Sequence, residues 1–273
     1  MSTAVGGPLP RGTSIAAAFA EAGGAQRVFD GKAQDYERAR PGYPTALYEH
    51  IEDQAGRGAV LSIVDVGAGT GLFTRGWLER GHRVVAVEPN DAMREAADAM
   101  LRGQPRYRST SGSAEATGVA DASVDLVTAA QAFHWFDALA FRTESLRILR
   151  PEGLAAIVWN DRADDDLNRD LTALFATFGG ARRAAIAAGL VKDEAIGRFF
   201  GGGSVRAWNT THAQLLDAAG LAALAFSRSF MPPRDSSPAE AARRAVQEIF
   251  DRWAHDGRVR VGYITRALVG RPA

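Results

Sequence analysis

Between residues 60 and 160, short apolar runs alternate with helix-length stretches. The runs are Val60–Val66 (VLSIVDV), Arg83–Val87 (RVVAV), Val124–Ala129 (VDLVTA) and Leu154–Trp159 (LAAIVW). Each is rich in β-branched residues and apolar on both faces, the pattern of strands buried inside a parallel sheet. Between them, Phe73–Arg80 is compatible with a helix. Ala92–Leu101 carries Met93, Ala96, Ala97 and Met100 at helical spacing, and Leu139–Leu149 aligns Leu139, Arg142, Leu146 and Leu149. Strand–helix alternation at this spacing predicts βαβ units with right-handed crossovers, hence an α/β fold with a doubly wound, mostly parallel sheet.

The last third changes rhythm. Asp166–Gly179 reads as a helix with Leu167, Leu171, Leu174, Phe175 and Phe178 on one side, and Ala184–Phe200 as a further helical stretch. Pro238–Ala254 is an amphipathic helix between two strands, Val205–Thr210 and Gly257–Val269. Two late strands after a helical insertion predict an antiparallel addition at the sheet edge, with the insertion placed where a substrate lid would sit. At the other end, Met1–Thr13 is rich in Gly, Pro and Ser, which predicts a mobile tail. Phe29–Pro44 (FDGKAQDYERARPGYP) interleaves aromatics with charges, and Pro41 and Pro44 end any helix there. The expected organisation is a tail over 1–28, a small helical lid over 29–58, a cofactor-binding α/β core over 59–163, and a helical insertion with C-terminal strands over 164–273.

Composition narrows the function classes. The 32 basic and 32 acidic residues cancel, so the chain has no general pull on nucleic acid or anionic lipid. It contains no local Lys/Arg cluster, and neither a nucleic-acid nor a membrane partner is expected. No cysteine is present, which excludes disulfides, a thiolate nucleophile and Cys-ligated metal. Ser14–Ala22 (SIAAAFAEA) is too short for a signal peptide and is interrupted by Glu21, so a cytoplasmic protein is expected. Lys32 and Lys192 are the only lysines beside 30 arginines, a bias that fits a GC-rich bacterial genome.

The strongest chemical signal is Asp65–Gly71, DVGAGTG, between an apolar strand and a helix-compatible segment. Gly67, Gly69 and Gly71 permit a tight turn and close approach of a ligand to the main chain. A glycine-rich turn after the first strand is where open α/β sheets bind cofactors; read plainly, it is only a tight connection. A dinucleotide fingerprint would need glycine at position 72, which is Leu72. At the end of the second strand, Glu88 can accept both hydroxyls of a ribose. Asp164–Asp166 has no partner at metal-ligand spacing, and no metal site is expected.

Taken together, DVGAGTG, VEPNDAM, GSAEATGVADASVDLVTAAQAFHWFD and LRPEGLAAIVW resemble the successive motifs of class I S-adenosylmethionine-dependent methyltransferases. The resemblance extends from Phe29 to Trp159 and more weakly to Val269. Within that family, the chain is similar to the trans-aconitate methyltransferase-like and small-molecule subgroup. F-x-x-x-A-x-x-Y-x-x-x-R-P-x-Y-P near the N-terminus and the A-F-H-W-F segment carry that likeness. The resemblance implies a seven-stranded Rossmann-like sheet with an antiparallel strand at its edge. It implies S-adenosylmethionine as cofactor and S-adenosylhomocysteine as product, in bacterial secondary metabolism. Gly67, Ala68 and Gly69 would face the methionine part, Glu88 the ribose, and Pro89 and Asn90 the adenine. Ser113, Ala114 and Glu115 match the segment cupping the adenine edge, with Ser113 where the family commonly has Asp. Gln131 and Ala132 match the wall beside the sulfonium. Tyr36 and Arg40 match the lid, with Arg40 placed to pair with a carboxylate of cofactor or substrate.

For the acceptor, Tyr36, Tyr43, Trp135, Phe136 and Phe230 are candidates for an aromatic pocket, with Met231 a further wall, whereas Phe133 and Trp159 read as core. His134 is either a base for the acceptor or a packing residue beside Trp135 and Phe136. The accepting atom, O, N or electron-rich C, stays open, as does the oligomeric state. Two other readings remain: a non-catalytic cofactor-binding partner or sensor, and a nicotinamide-dependent oxidoreductase, which Leu72 and the later motifs oppose.

Overall fold

The computed structural model describes residues 40–56, 58–189 and 193–273. The expected tail over 1–28 and the first part of the lid, including Phe29 and Tyr36, lie outside the described residues. Helix α1 (Thr45–Ala55) starts where Pro44 presets the chain at φ −65°. It ends at Gly56, whose N–H bonds the Glu52 carbonyl at 3.0 Å. The chain then alternates as β1 (Ser62–Val66), α2 (Leu72–Glu79), β2 (Arg83–Val87), α3 (Asp91–Met100), β3 (Tyr107–Thr110) and β4 (Val124–Ala130). A short 3-10 turn at Phe133–Trp135 leads into α4 (Ala138–Ile148) and β5 (Leu149–Arg162). The late region contains α5 (Asp166–Gly189), α6 (Asp193–Phe200), β6 (Val205–Leu216), α7 (Ala218–Phe226), α8 (Ser237–Trp253) and β7 (Val259–Gly270).

The seven strands form one sheet in the order β3-β2-β1-β4-β5-β7-β6. The first five strands run parallel, with Val64 of β1 between Val85 of β2 and Val127 of β4. Strand β7 runs antiparallel to both β5 and β6, so the antiparallel addition forms the far edge as expected. Strand order reverses between β1 and β4, and the crevice at the carboxyl ends there is the natural ligand position.

Both sheet faces are covered. Leu47 and Ile51 of α1 and Phe73 and Trp77 of α2 pack with Ile63, Leu126 and Val158 on one side. Phe133, Phe141 and Phe199 pack with Val64, Val127 and Ile157 on the other. A third cluster joins α5, α7 and α8 to Val259, Val261 and Tyr263 of β7. Among the described residues no helix is long and apolar enough to cross a membrane.

Three local expectations change. The buried face of α4 is Phe141, Ser145 and Ile148, while Leu139 is 50% exposed. Leu149 begins β5 rather than closing the helix. Helix α5 kinks at Gly180 (φ 50°, ψ −143°) and continues beyond the expected end at Gly179. β3 and α7 carry no clear periodicity: β3 is a four-residue edge strand, YRST, and α7 is apolar nearly all round because it is buried.

Candidate functional site

The loop after β1 is built by backbone geometry that only glycine adopts cheaply. Gly67, Gly69 and Gly71 sit at φ 68°, 57° and 81°. The N–H groups of Gly67 and Ala68 bond the Val87 carbonyl at 2.8 and 3.2 Å, which ties the turn to the end of β2. A Cβ on Gly67 would stand 2.5 Å from the Ala132 Cβ, so the turn packs closely against the segment after β4. At Gly69 a Cβ would meet nothing within 4 Å, and the positive φ alone demands glycine there.

Glu88 completes this end of the sheet. One carboxylate oxygen accepts the Gly69 N–H at 2.8 Å and the other the Asn90 N–H at 2.9 Å. Burial raises its pKa, and those two N–H groups pull it back. Asn90 caps α3 by accepting the Met93 N–H at 2.8 Å. Beneath the turn, Asp65 is 1% exposed and accepts hydroxyl hydrogen bonds from Thr74 at 2.7 Å and Thr128 at 2.8 Å. Burial pushes its pKa up to about 6 against those donors.

Asp65, Gly67, Ala68, Gly69 and Glu88 line a cavity with Tyr43, Phe73, Pro89, Met93, Gln131, Ala132, Trp135 and Phe136. Tyr43 packs on Phe73 at a centroid distance of 4.6 Å. Gln131 holds a φ of 58°, uncommon for a residue with a side chain. Its backbone N–H bonds Val158 O at 2.9 Å and its amide bonds Asn160 O at 2.8 Å, which fix it. Asn160 donates to Gly42 O at 3.2 Å and accepts from Thr265, joining the segment before α1 to the sheet.

A second cavity adjoins the first. Arg40, Gln131, Trp135, Asn160 and Arg228 line both. His134, Trp159, Arg162, Phe175 and Phe230 line the second alone. The His134 ring tilts on Trp135 at 5.3 Å, and Phe230 meets Phe175 edge-on at 5.5 Å.

The structure therefore brings Arg40, Tyr43, Gly67, Ala68, Gly69, Glu88, Pro89, Gln131, Ala132, Trp135 and Phe136 to the first cavity and His134 and Phe230 to the second. Phe133 is core, as expected. Trp159, expected to be core, is half-buried and lines the second cavity. Met231 is 1% exposed inside the late core and is not among the described lining of either cavity. Ser113, Ala114 and Glu115 lie outside the walls of both cavities: Ala114 is buried, and Glu115 accepts the Asp137 N–H at 3.1 Å. Tyr36 lies outside the described residues.

The sequence reading missed Asn160, Arg162 and Arg228. Asn160 and Arg162 lie at the carboxyl end of β5, beyond the apolar run that marks the strand. That position is itself the signal for ligand contact in such sheets. Arg228 follows a buried helix that the pattern does not reveal.

Comparison with known proteins agrees with this architecture. Residues 64–157 match a family model described as a methyltransferase domain. An uncharacterized methyltransferase of Mycobacterium tuberculosis is 40% identical over 127 residues, 46% of this chain and 49% of that protein. One from Mycobacteroides abscessus is 32% identical over 180 residues, 64% of this chain and 67% of the relative. The chain spans about half the length of the first of these curated relatives. Among solved structures, a provisionally named type II methyltransferase from Anaeromyxobacter dehalogenans superposes with a TM-score of 0.60 at 25% identity. It covers 85% of this chain and 97% of its own.

Proposed function

The chain belongs to the class I S-adenosylmethionine-dependent methyltransferase family, and we propose that it transfers the cofactor's methyl group to a small-molecule acceptor, releasing S-adenosylhomocysteine. The observation that carries this reading is the shared edge of Gln131, Trp135 and Asn160, where the cavity of the glycine turn meets an aromatic-walled cavity.

The walls of the first cavity suit such a cofactor. Each Glu88 oxygen already accepts one backbone N–H and retains a lone pair for a ribose hydroxyl. The open space above Gly69 leaves its main chain approachable. Gly67, Ala68 and Gly69 would hold the methionine part, Pro89 and Asn90 the adenine face, and Ser113–Glu115 its edge. Gln131 and Ala132 would stand beside the sulfur, with Arg40 pairing a carboxylate. Bound there, S-adenosylmethionine supplies an electrophilic methyl carbon and a neutral leaving group.

The protein's own work is then chiefly positioning. Gln131, locked by Val158 and Asn160, fixes the border between the two ligands. Trp135, Trp159 and Phe230 present ring faces to an acceptor and exclude water. His134, in the acceptor cavity, takes a proton from an acceptor hydroxyl or amine as the new bond forms. Arg40, Pro41 and Tyr43, in the segment before α1, would close over the cofactor from one side.

The finer assignment is to bacterial secondary metabolism, in the cytoplasm, without a nucleic-acid or membrane partner. It rests on the likeness of Phe29–Pro44 and Ala132–Phe136 to the small-molecule subgroup. Incubation with S-adenosylmethionine and a panel of phenols, amines, indoles and carboxylic acids should yield S-adenosylhomocysteine above the acceptor-free rate. Cofactor binding without product from any class of acceptor would contradict the enzymatic reading.

A further inference from the structure

The second cavity has a charge pattern that methyl transfer by itself does not require. Among its described lining residues are five arginines, Arg40, Arg162, Arg169, Arg183 and Arg228, and two carboxylates, Asp161 and Asp164. Asp164, at 3.0 Å, and Asp166 pair with one of the five, Arg169, while Asp161 pairs with Arg266 outside the lining at 3.4 Å.

Arg162 is the informative residue. It stands at the end of β5, and its guanidinium donates to Thr172 Oγ1 at 3.0 Å and to the Asn168 carbonyl at 3.4 Å. Both acceptors are neutral. Among the described residues, neither Arg162 nor Arg183 has a carboxylate within ion-pair distance. Asp165 acts on Arg162 less strongly than Arg183 does, and its oxygens accept from the Asn168 N–H at 2.8 Å and side-chain amide at 3.1 Å. Burial and the Arg183 charge hold the Arg162 pKa below the usual arginine value. A partly desolvated cation beside a second cation is costly until an anion joins them.

The neighbours fit an anion with an aromatic body. The Arg162 guanidinium lies 4.8 Å from the Phe175 ring centroid, which orients its fork. Tyr263, its cross-strand partner on β7, is buried in the late core rather than in the cavity wall, and among the described residues its hydroxyl has no hydrogen-bond partner. Trp135 and Trp159 flank the same cavity.

We propose that the acceptor is an aromatic carboxylic acid whose carboxylate is anchored by Arg162 and Arg183, away from the atom that is methylated. Those two arginines line the second cavity alone, whereas Gln131, Trp135 and Asn160 form the edge shared with the cofactor cavity. The acid is therefore a handle, and its bidentate capture sets the pose of the ring. This assignment of substrate class rests on the cofactor reading above.

Calorimetric titration tests it, using 4-hydroxybenzoate, cinnamate and indole-3-acetate, each against its neutral carboxamide, with and without S-adenosylhomocysteine. At least one acid should bind about tenfold or more tighter than its amide. Arg162→Gln and, separately, Arg183→Gln should each erase that preference while S-adenosylhomocysteine affinity stays at the wild-type level. Arg183→Gln, in a half-exposed position, guards against a folding defect at Arg162. Equal binding of acids and amides, or an acid preference that survives both substitutions, overturns the proposal. Failure of S-adenosylhomocysteine to bind while the acid preference persists overturns the cofactor reading and leaves the acid pocket standing.

Discussion

Glu88 and Gly69 are joined across the end of the sheet: a carboxylate oxygen of Glu88 accepts the Gly69 N–H at 2.8 Å. The bond links the end of β2 to the turn after β1, so one side chain both shapes the glycine loop and faces its ligand. Replacing Glu88 with Ala removes a charged acceptor from the ribose hydroxyls and releases the loop. Affinity for S-adenosylhomocysteine should fall by about 1.5–3 kcal/mol, roughly 10- to 150-fold. Glu88→Gln should lose less, because its amide oxygen still accepts one N–H. Titration calorimetry of both variants checks the order.

Gly67 is limited by space as well as by its φ of 68°. An alanine there would press its Cβ against Ala132, 2.5 Å away, with the Phe136 ring at 3.2 Å. Gly67→Ala should lower stability by about 1–3 kcal/mol and weaken cofactor binding. Gly103→Ala has a φ of 84° but nothing within 4 Å, so it should cost less and leave binding intact. Thermal melts and titrations of the pair separate steric contact from backbone strain.

Asp65 predicts a pH effect of a definite sign. Its pKa in the folded chain is raised to about 6 by burial, against an unfolded value near 4. Between those values the folded state binds more protons than the unfolded state, so stability falls as pH rises from about 4 to about 6. Asp65→Asn should flatten that stretch of the profile. Urea melts at intervals across it, compared between the two chains, give the slope directly.

Glu144 works in the opposite direction. It accepts the Thr117 N–H at 2.7 Å and two Arg147 donors at 2.7 and 2.8 Å, and the arginine chiefly holds its pKa down at about 2. The stability it lends is complete above the unfolded pKa near 4.3 and is lost as pH falls through about 2. Glu144→Ala should cost about 2–3 kcal/mol at neutral pH, because Thr117 and Arg147 lose their acceptor. A wild-type unfolding midpoint in that variant would contradict the assignment.

His134 should affect turnover without affecting the cofactor, since it lines the acceptor cavity alone. His134→Ala should reduce kcat by about 100-fold with unchanged S-adenosylhomocysteine affinity. Wild-type turnover across pH would make His134 a packing residue.

The sheet was legible because its central strands are buried on both faces and read as short, mainly apolar and β-branched runs. The turn was legible because three positive-φ positions demanded glycine. Residues set by the fold alone were not legible. Asn160 and Arg162 lie beyond the apolar run of β5, and their roles come from Thr265 and Gly42, distant in sequence, and from Thr172 on the following helix. Trp159 looked like core because its strand is core, yet it stands where β5 reaches the cavity. On α4, the expected stripe from Leu139 was wrong because Asp137 caps the helix at Leu139 and Ala140, a start that turns Leu139 to solvent.

The most direct test of the account is calorimetric titration of the purified chain with S-adenosylhomocysteine, with NAD as the control. S-adenosylhomocysteine should bind saturably, more weakly in Glu88→Ala, and NAD should not bind. Binding of NAD in preference, or of neither ligand, would contradict it.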